Sequence, residues 1–195
     1  MAYYYGPQTV DITSYDTFKN AVNGNGYDVD YSYGAQCVDA FMLLNYNVGG
    51  YTYPYLKLGA NGYSYEMWTD VTARLWNASD KYLLIYNKEQ IKRGDMVVFS
   101  ASSYYPTFGH NALADEDYNP SDPDHLMVLG QNQLYGASFP TGGKCFNVEK
   151  TILGNLFLGA FRLIQWQHGP GPTPQISRSK FPWYLVARKL RNRRV

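Results

Sequence analysis

Long apolar runs are missing from this chain of 195 residues. A helix that crosses a bilayer needs roughly 18 consecutive apolar residues, and none occur, so no transmembrane segment is expected. The opening stretch, Met1 to Pro7, lacks both a basic region and an apolar core, so no signal peptide is expected either. Charged residues are sparse at 17%, whereas 45% are hydrophobic, which is the composition of a folded protein. The length suits one domain with a real core and is short for two. No internal repeat is visible. Histidine and cysteine are scarce, at three and two residues, so chemistry that needs them has few places to reside.

Against that background, the run Asp28-Val29-Asp30-Tyr31-Ser32-Tyr33-Gly34-Ala35-Gln36-Cys37-Val38-Asp39 stands out. Val38, Ala40, Phe41, Leu43 and Leu44 follow the spacing of a buried helix that starts near Cys37 and ends between Asn45 and Gly50. Backbone N–H groups and the positive dipole end at a helix start favour an anion, so a thiol there is expected to lose its proton more easily. A lone cysteine is more often a buried apolar residue than a nucleophile, and its partners decide the matter.

Of His110, His125 and His168, only His110 lies in a context suited to partner a thiol, Phe108-Gly109-His110-Asn111-Ala112-Leu113-Ala114. This reads as a strand whose leading glycine lets a neighbouring backbone or a substrate come close to the imidazole. A preceding strand, Asp95 to Phe99, is introduced by the turn-like Lys92-Arg93-Gly94. Cysteine on a helix followed by histidine on a strand is the order of papain-type cysteine peptidases, in which a later polar side chain orients the histidine.

Tyr-Gly-Ala-Gln-Cys-Val-Asp at 33–39, Lys-Arg-Gly-Asp-Met-Val-Val-Phe at 92–99, Gly-His at 109–110 and Leu-Gly-Gln-Asn at 129–132 together resemble a CHAP domain. This is the cysteine, histidine-dependent amidohydrolase/peptidase of bacteriophage lysins and bacterial cell-wall hydrolases. The resemblance runs over roughly residues 12–166. It implies a papain-like α+β fold and cleavage of a peptide or amide bond of bacterial peptidoglycan. Carried over, Cys37 is the nucleophile, His110 the general base and Asn132 the group that orients His110. The chain departs from the pattern at Gly130, where many phage members have a glutamate. Asp115, Glu116 and Asp117 are the nearest acids in sequence, but at about 3.3 Å per residue an extended run from His110 to Glu116 spans roughly 20 Å. Unless the chain turns back, Glu116 cannot reach the imidazole. A catalytic Cys37 must stay free, so no disulfide to Cys145 is expected, and Cys145 reads as a strand residue of no special role.

Asp28, Asp30 and Asp39 suggest a second chemistry. Calcium takes six to eight oxygens from carboxylates and carbonyls, and three convergent carboxylates without a cation would repel one another. The spacing is similar to the EF-hand-like loop of some phage CHAP domains, which implies a bound Ca2+ with the carbonyls of Ser32 and Gly34 completing its shell. The twelfth-position glutamate of a full EF-hand is absent. The competing reading is a solvated acidic loop.

Helices are expected near 14–22, from Cys37 to about Tyr46, and from Tyr65 to Trp76 with Met67, Trp68, Val71 and Leu75 as a buried stripe. Strands follow near 95–101, 109–114, 125–132, 145–152 and 157–166. N-terminal helices packed on an antiparallel sheet make an α+β fold. Most of the 20 tyrosines serve packing, and Tyr31, Tyr33, Tyr104 and Tyr105 are the candidates to line a substrate groove.

Gly169-Pro170-Gly171-Pro172-Thr173-Pro174 interrupts regular structure, which divides the chain into a catalytic domain over 1–166 and a linker with a basic tail over 167–195. The tail holds seven basic and no acidic residues, leaving ten basic against all 16 acidic residues in 1–166. With Phe181, Trp183, Tyr184 and Leu185, it could contact teichoic acid or a virion protein, and no nucleic-acid partner is expected. The resemblance, with no signal peptide seen, implies a phage-encoded enzyme that reaches the host wall after holin release or on the virion. The alternative is a virion structural or wall-binding module that keeps the fold with little turnover.

Overall fold

A computed structural model of the chain describes residues 2–133 and 145–167. The expected linker and basic tail beyond Gln167 lie outside the described residues, as does His168. The first helix, α1 (Tyr15–Val22), begins where Ser14 caps it: the Ser14 hydroxyl accepts the Thr17 N–H at 3.1 Å, and Thr17 Oγ1 accepts the Ser14 N–H at 2.9 Å. Tyr15, Phe18 and Val22 form its buried face. The second, α2 (Cys37–Val48), buries Ala40, Phe41, Met42, Leu43 and Leu44, as a central helix must.

The expected third helix is two. A short turn of helix, α3 (Glu66–Thr69), ends at Asp70, whose extended backbone redirects the chain while its carboxylate accepts the Ala73 N–H at 2.8 Å and starts α4 (Val71–Ala78). The new cap resets the helical phase. Met67 and Trp68 are buried as expected, but Val71 and Leu75 are 57% and 59% exposed, because α4 buries Ala73, Asn77 and Ala78 instead.

Six strands, β3 (Tyr82–Ile85), β4 (Met96–Phe99), β5 (His110–Ala114), β6 (His125–Gly130), β7 (Asn147–Ile152) and β8 (Phe157–Leu163), form an antiparallel sheet in the order β3-β8-β4-β5-β6-β7. The last expected strand ends at Leu163 and continues as a 3-10 turn over Ile164–Gln167. Strand β3 was not foreseen, nor was a parallel pair of β1 (Tyr3–Tyr5) with β2 (Gly26–Asp28) that leads into the aspartate loop.

Alternation along the strands separates two cores. Met96, Val98, Leu113, Leu129 and Phe161 face the helices and meet Phe18, Phe41, Leu44 and Trp68. Val97, Phe99, Ala112, Ala114 and Val128 face the other way, onto Ile91, Tyr105 and Leu153. The architecture is α+β, with the N-terminal helices on an antiparallel sheet and α2 lying against β5. That packing puts the first residue of α2 beside the first residues of β5.

Candidate active site

Cys37 is the first residue of α2, and the backbone N–H of Asn111, the residue after His110, is directed at its sulfur. The Asn111 side chain completes the join, donating to the Cys37 carbonyl at 3.0 Å and accepting the Ser64 hydroxyl at 2.9 Å. Ser64 itself stabilises the thiolate form of Cys37. Burial outweighs these contacts and pushes the Cys37 thiol above its ordinary pKa, so the ease of ionisation expected from the helix start is overridden.

His110 is 2% exposed and opens β5. Its ring stacks on Tyr105 with centroids 4.6 Å apart and lies 6.1 Å from that of Phe99, tilted by 30°. Burial lowers its pKa from 6.5 to about 4, against an opposing pull from the Gln133 carboxamide. Cysteine and histidine therefore rest as a neutral pair. Tyr105 links the two residues: its phenol lies within electrostatic range of Cys37 while its ring covers the imidazole.

Gly109 is required at the entrance to this strand. Its φ is +66°, and a Cβ there would lie 2.6 Å from the Phe99 carbonyl oxygen and 3.0 Å from Tyr65 Cβ. The room expected beside the imidazole is thus taken by neighbouring backbone.

Asn132 is half-buried with φ +52°, and its amide donates to Gln36 Oε1 at 3.4 Å. It therefore bears on the residue that precedes Cys37. Gln131 and Gln133, which sequence reasoning passed over, are both buried in the same turn. The Gln131 side chain closes two bonds with the Tyr27 backbone, at 2.6 and 3.0 Å, and donates to the Gln36 carbonyl at 3.2 Å. Three carboxamides directly after an apolar strand were the available signal, since a surface turn does not need so many buried amides.

None of the three acids near His110 in sequence reaches it. Asp115 is held by Lys19 Nζ at 2.7 Å and by the Tyr15 hydroxyl at 2.8 Å. Glu116 accepts the Met127 N–H at 2.9 Å, and Asp117 pairs with Lys92 at 2.7 Å.

Asp28, Asp30 and Asp39 converge, with one carboxylate oxygen of each within 4.8 Å of the others. Asp39 is buried and doubly bonded, to the Val29 N–H and the Gln36 N–H, both at 2.7 Å, so it ties the aspartate loop to the start of α2. Burial pushes its pKa up to about 8, and the other two aspartates add to the rise. Asp28 is 4% exposed, and its Oδ1 has no hydrogen-bond partner. An orphaned buried oxygen on one of three convergent carboxylates fits a hard cation. Ser32 and Gly34 lie on the same loop, where Tyr31, Tyr33 and Gly34 all have positive φ.

Tyr31 and Tyr33 are 70% and 81% exposed on that loop. Tyr105, expected in a groove, is buried instead: its hydroxyl bonds Thr151 and its ring packs on His110, so it is a wall of the site. Cys37 and Cys145 are both free. No helix among the described residues is long and apolar enough to cross a membrane.

No family model matches the chain. It is 27% identical over 160 residues to a D-alanyl-L-alanine endopeptidase of Streptococcus phage B30, an alignment covering 74% of this chain and 33% of that protein. The chain thus spans about a third of the length of that relative. Its fold is similar to that of the endolysin LysIME-EF1, with a TM-score of 0.51 and 18% identity over 80% of this chain and 65% of that one. The kinship in sequence is with part of a phage endopeptidase, and the likeness in fold is with an endolysin.

Proposed function

We propose that the chain is the catalytic part of a phage-type peptidoglycan hydrolase of the CHAP kind, with Cys37, His110 and Asn132 as its site. The observation that supports this most is the meeting of Cys37, at the head of α2, with the backbone N–H next to His110. The sequence kinship with a phage endopeptidase supports the same reading. Because both groups rest neutral, His110 takes the thiol proton as the sulfur attacks the carbonyl, and a preformed ion pair is not needed. The tetrahedral oxyanion is held in part by the Cys37 backbone N–H. His110 then protonates the leaving amine, and water assisted by the same imidazole releases the acyl group. The relative's name favours a peptide bond as the target over the sugar-to-peptide amide.

Asp28, Asp30 and Asp39, with carbonyls of Ser32 and Gly34, would hold Ca2+. A bound cation would neutralise the crowded carboxylates and fix the loop. Through the two bonds of Asp39, that loop sets the start of α2 and so the position of Cys37. The setting is the host wall, reached after holin release or on a virion, and the basic tail would add contacts to teichoic acid or a virion protein.

Turbidity clearing of purified Gram-positive walls tests the reading. The wild-type chain should clear them and Cys37→Ala should not. Binding to walls with no clearing by either would favour a virion structural or wall-binding role.

A further inference from the structure

The acid absent at Gly130 leaves a question that the described residues answer. Gln133 is 2% exposed in the turn after β6, and its amide nitrogen donates to two backbone carbonyls, Val128 at 3.3 Å and Asn147 at 2.6 Å. Both amide protons are spent. Turning the amide over would set its oxygen against those carbonyls, so Oε1 must point the other way. That oxygen has no hydrogen-bond partner, and neither has the buried Nε2 of His110.

The two unpartnered atoms belong together. Gln133 favours the protonated form of His110, which only an oxygen beside the ring can do. The contact falls outside hydrogen-bond geometry in this structure. Gly130 makes the room: a Cβ there would lie 3.2 Å from Gln133 Oε1, 3.3 Å from its Cδ and 2.9 Å from Ala112 Cβ. A side chain at 130 and the Gln133 carboxamide would compete for one space. Asp115, Glu116 and Asp117 are engaged elsewhere, so none of these three contests the position.

We propose that Gln133 is a positioning residue for the reaction: its carboxamide oxygen accepts the His110 Nε2–H and thereby leaves Nδ1 unprotonated to take the Cys37 proton. The role rests on the hydrolase reading given above. Asn132, turned toward Gln36, works on the cysteine side of the site, and Gln133 works on the histidine side. A neutral acceptor fixes the tautomer without adding a charge that would hold the imidazole protonated.

The test combines nitrogen-15 NMR of the His110 ring with wall digestion by the wild type, Gln133→Met and Gln133→Glu. Both variants lose the amide N–H bonds to Val128 and Asn147, and they differ in that methionine removes the acceptor whereas glutamate keeps one and adds charge. The wild-type ring should carry its proton on Nε2. In Gln133→Met that preference should be lost, and kcat should fall about tenfold or more with little change in KM. In Gln133→Glu, the His110 pKa and the acid limb of the activity profile should rise together by about a unit or more. A wild-type proton on Nδ1, or an unchanged tautomer and kcat in Gln133→Met, would overturn the proposal. If Gln133→Met does not fold, an unmoved His110 pKa in Gln133→Glu would overturn it equally. The ring signals need no substrate, so the expected tautomer and shift with no wall cut would uphold Gln133 and count only against the peptidoglycan reading.

Discussion

Lowering the pH from 7 toward 4 should destabilise this protein through His110 alone by an amount large enough to measure. The folded chain holds the imidazole neutral down to a pKa of about 4, whereas the unfolded chain protonates it near 6.5. Between those values the unfolded state binds a proton that the folded state refuses. Stability is therefore fully present above pH 6.5 and drains away as pH falls to about 4. At 1.36 kcal/mol per pH unit the whole gap is worth about 3 kcal/mol, of which about 2 kcal/mol is lost by pH 5. Against typical domain stabilities of about 5–15 kcal/mol, this is a substantial share. Denaturant titrations at pH 7, 6 and 5 on the wild type and on His110→Gln isolate the effect. Other groups titrate in both proteins, so the difference between the two curves reports His110. The wild type should lose about 2 kcal/mol more than the variant between pH 7 and pH 5. Parallel curves would mean that the imidazole is solvated in the folded state, and the neutral-pair mechanism would fall with it.

Gly109→Ala should cost about 1–3 kcal/mol, since a Cβ 2.6 Å from the Phe99 carbonyl oxygen forces the strand entrance apart, and should lower activity further by moving His110; thermal melts and wall clearing read both effects. A chelator should lower melting temperature and activity together, and isothermal titration should find one Ca2+ site that Asp28→Asn weakens; normal activity with no bound calcium would remove the ion from the account. Asn132→Ala should reduce kcat by freeing Gln36 beside the cysteine, and full activity in that variant would deny Asn132 a place in the site.

Local signals carried much of the fold. Ser14 and Thr17 announce α1, and the apolar run after Cys37 announces α2, because a cap and a buried stripe are written within one helix. The strands β4 to β8 were legible for the same reason, as short apolar runs between turn residues. What escaped depends on distant partners. The three-residue β1 exists only because Gly26–Asp28 pairs with it from more than twenty positions away, and the edge strand β3 is defined by β8. Asp70 broke a pattern that reads as one helix, since an aspartate at a cap and an aspartate on a solvent face look alike in sequence.

The site divides along the same line. As candidates, Cys37 and His110 stand out through their own neighbourhoods, and the convergence of Asp28 with Asp30 and Asp39 through loop spacing. The burial of Tyr105 and of Gln133 was not visible, because the first depends on Thr151 near the end of β7 and the second on Asn147 at its start.

The most direct test of the central claim is mass spectrometry of soluble fragments released from purified Gram-positive peptidoglycan by the wild-type chain and by Cys37→Ala, with calcium present. Fragments with one defined new terminus, at a peptide bond, are expected from the wild type and should vanish in the variant. The same fragments from Cys37→Ala, or none from the wild type on several walls, would contradict that claim.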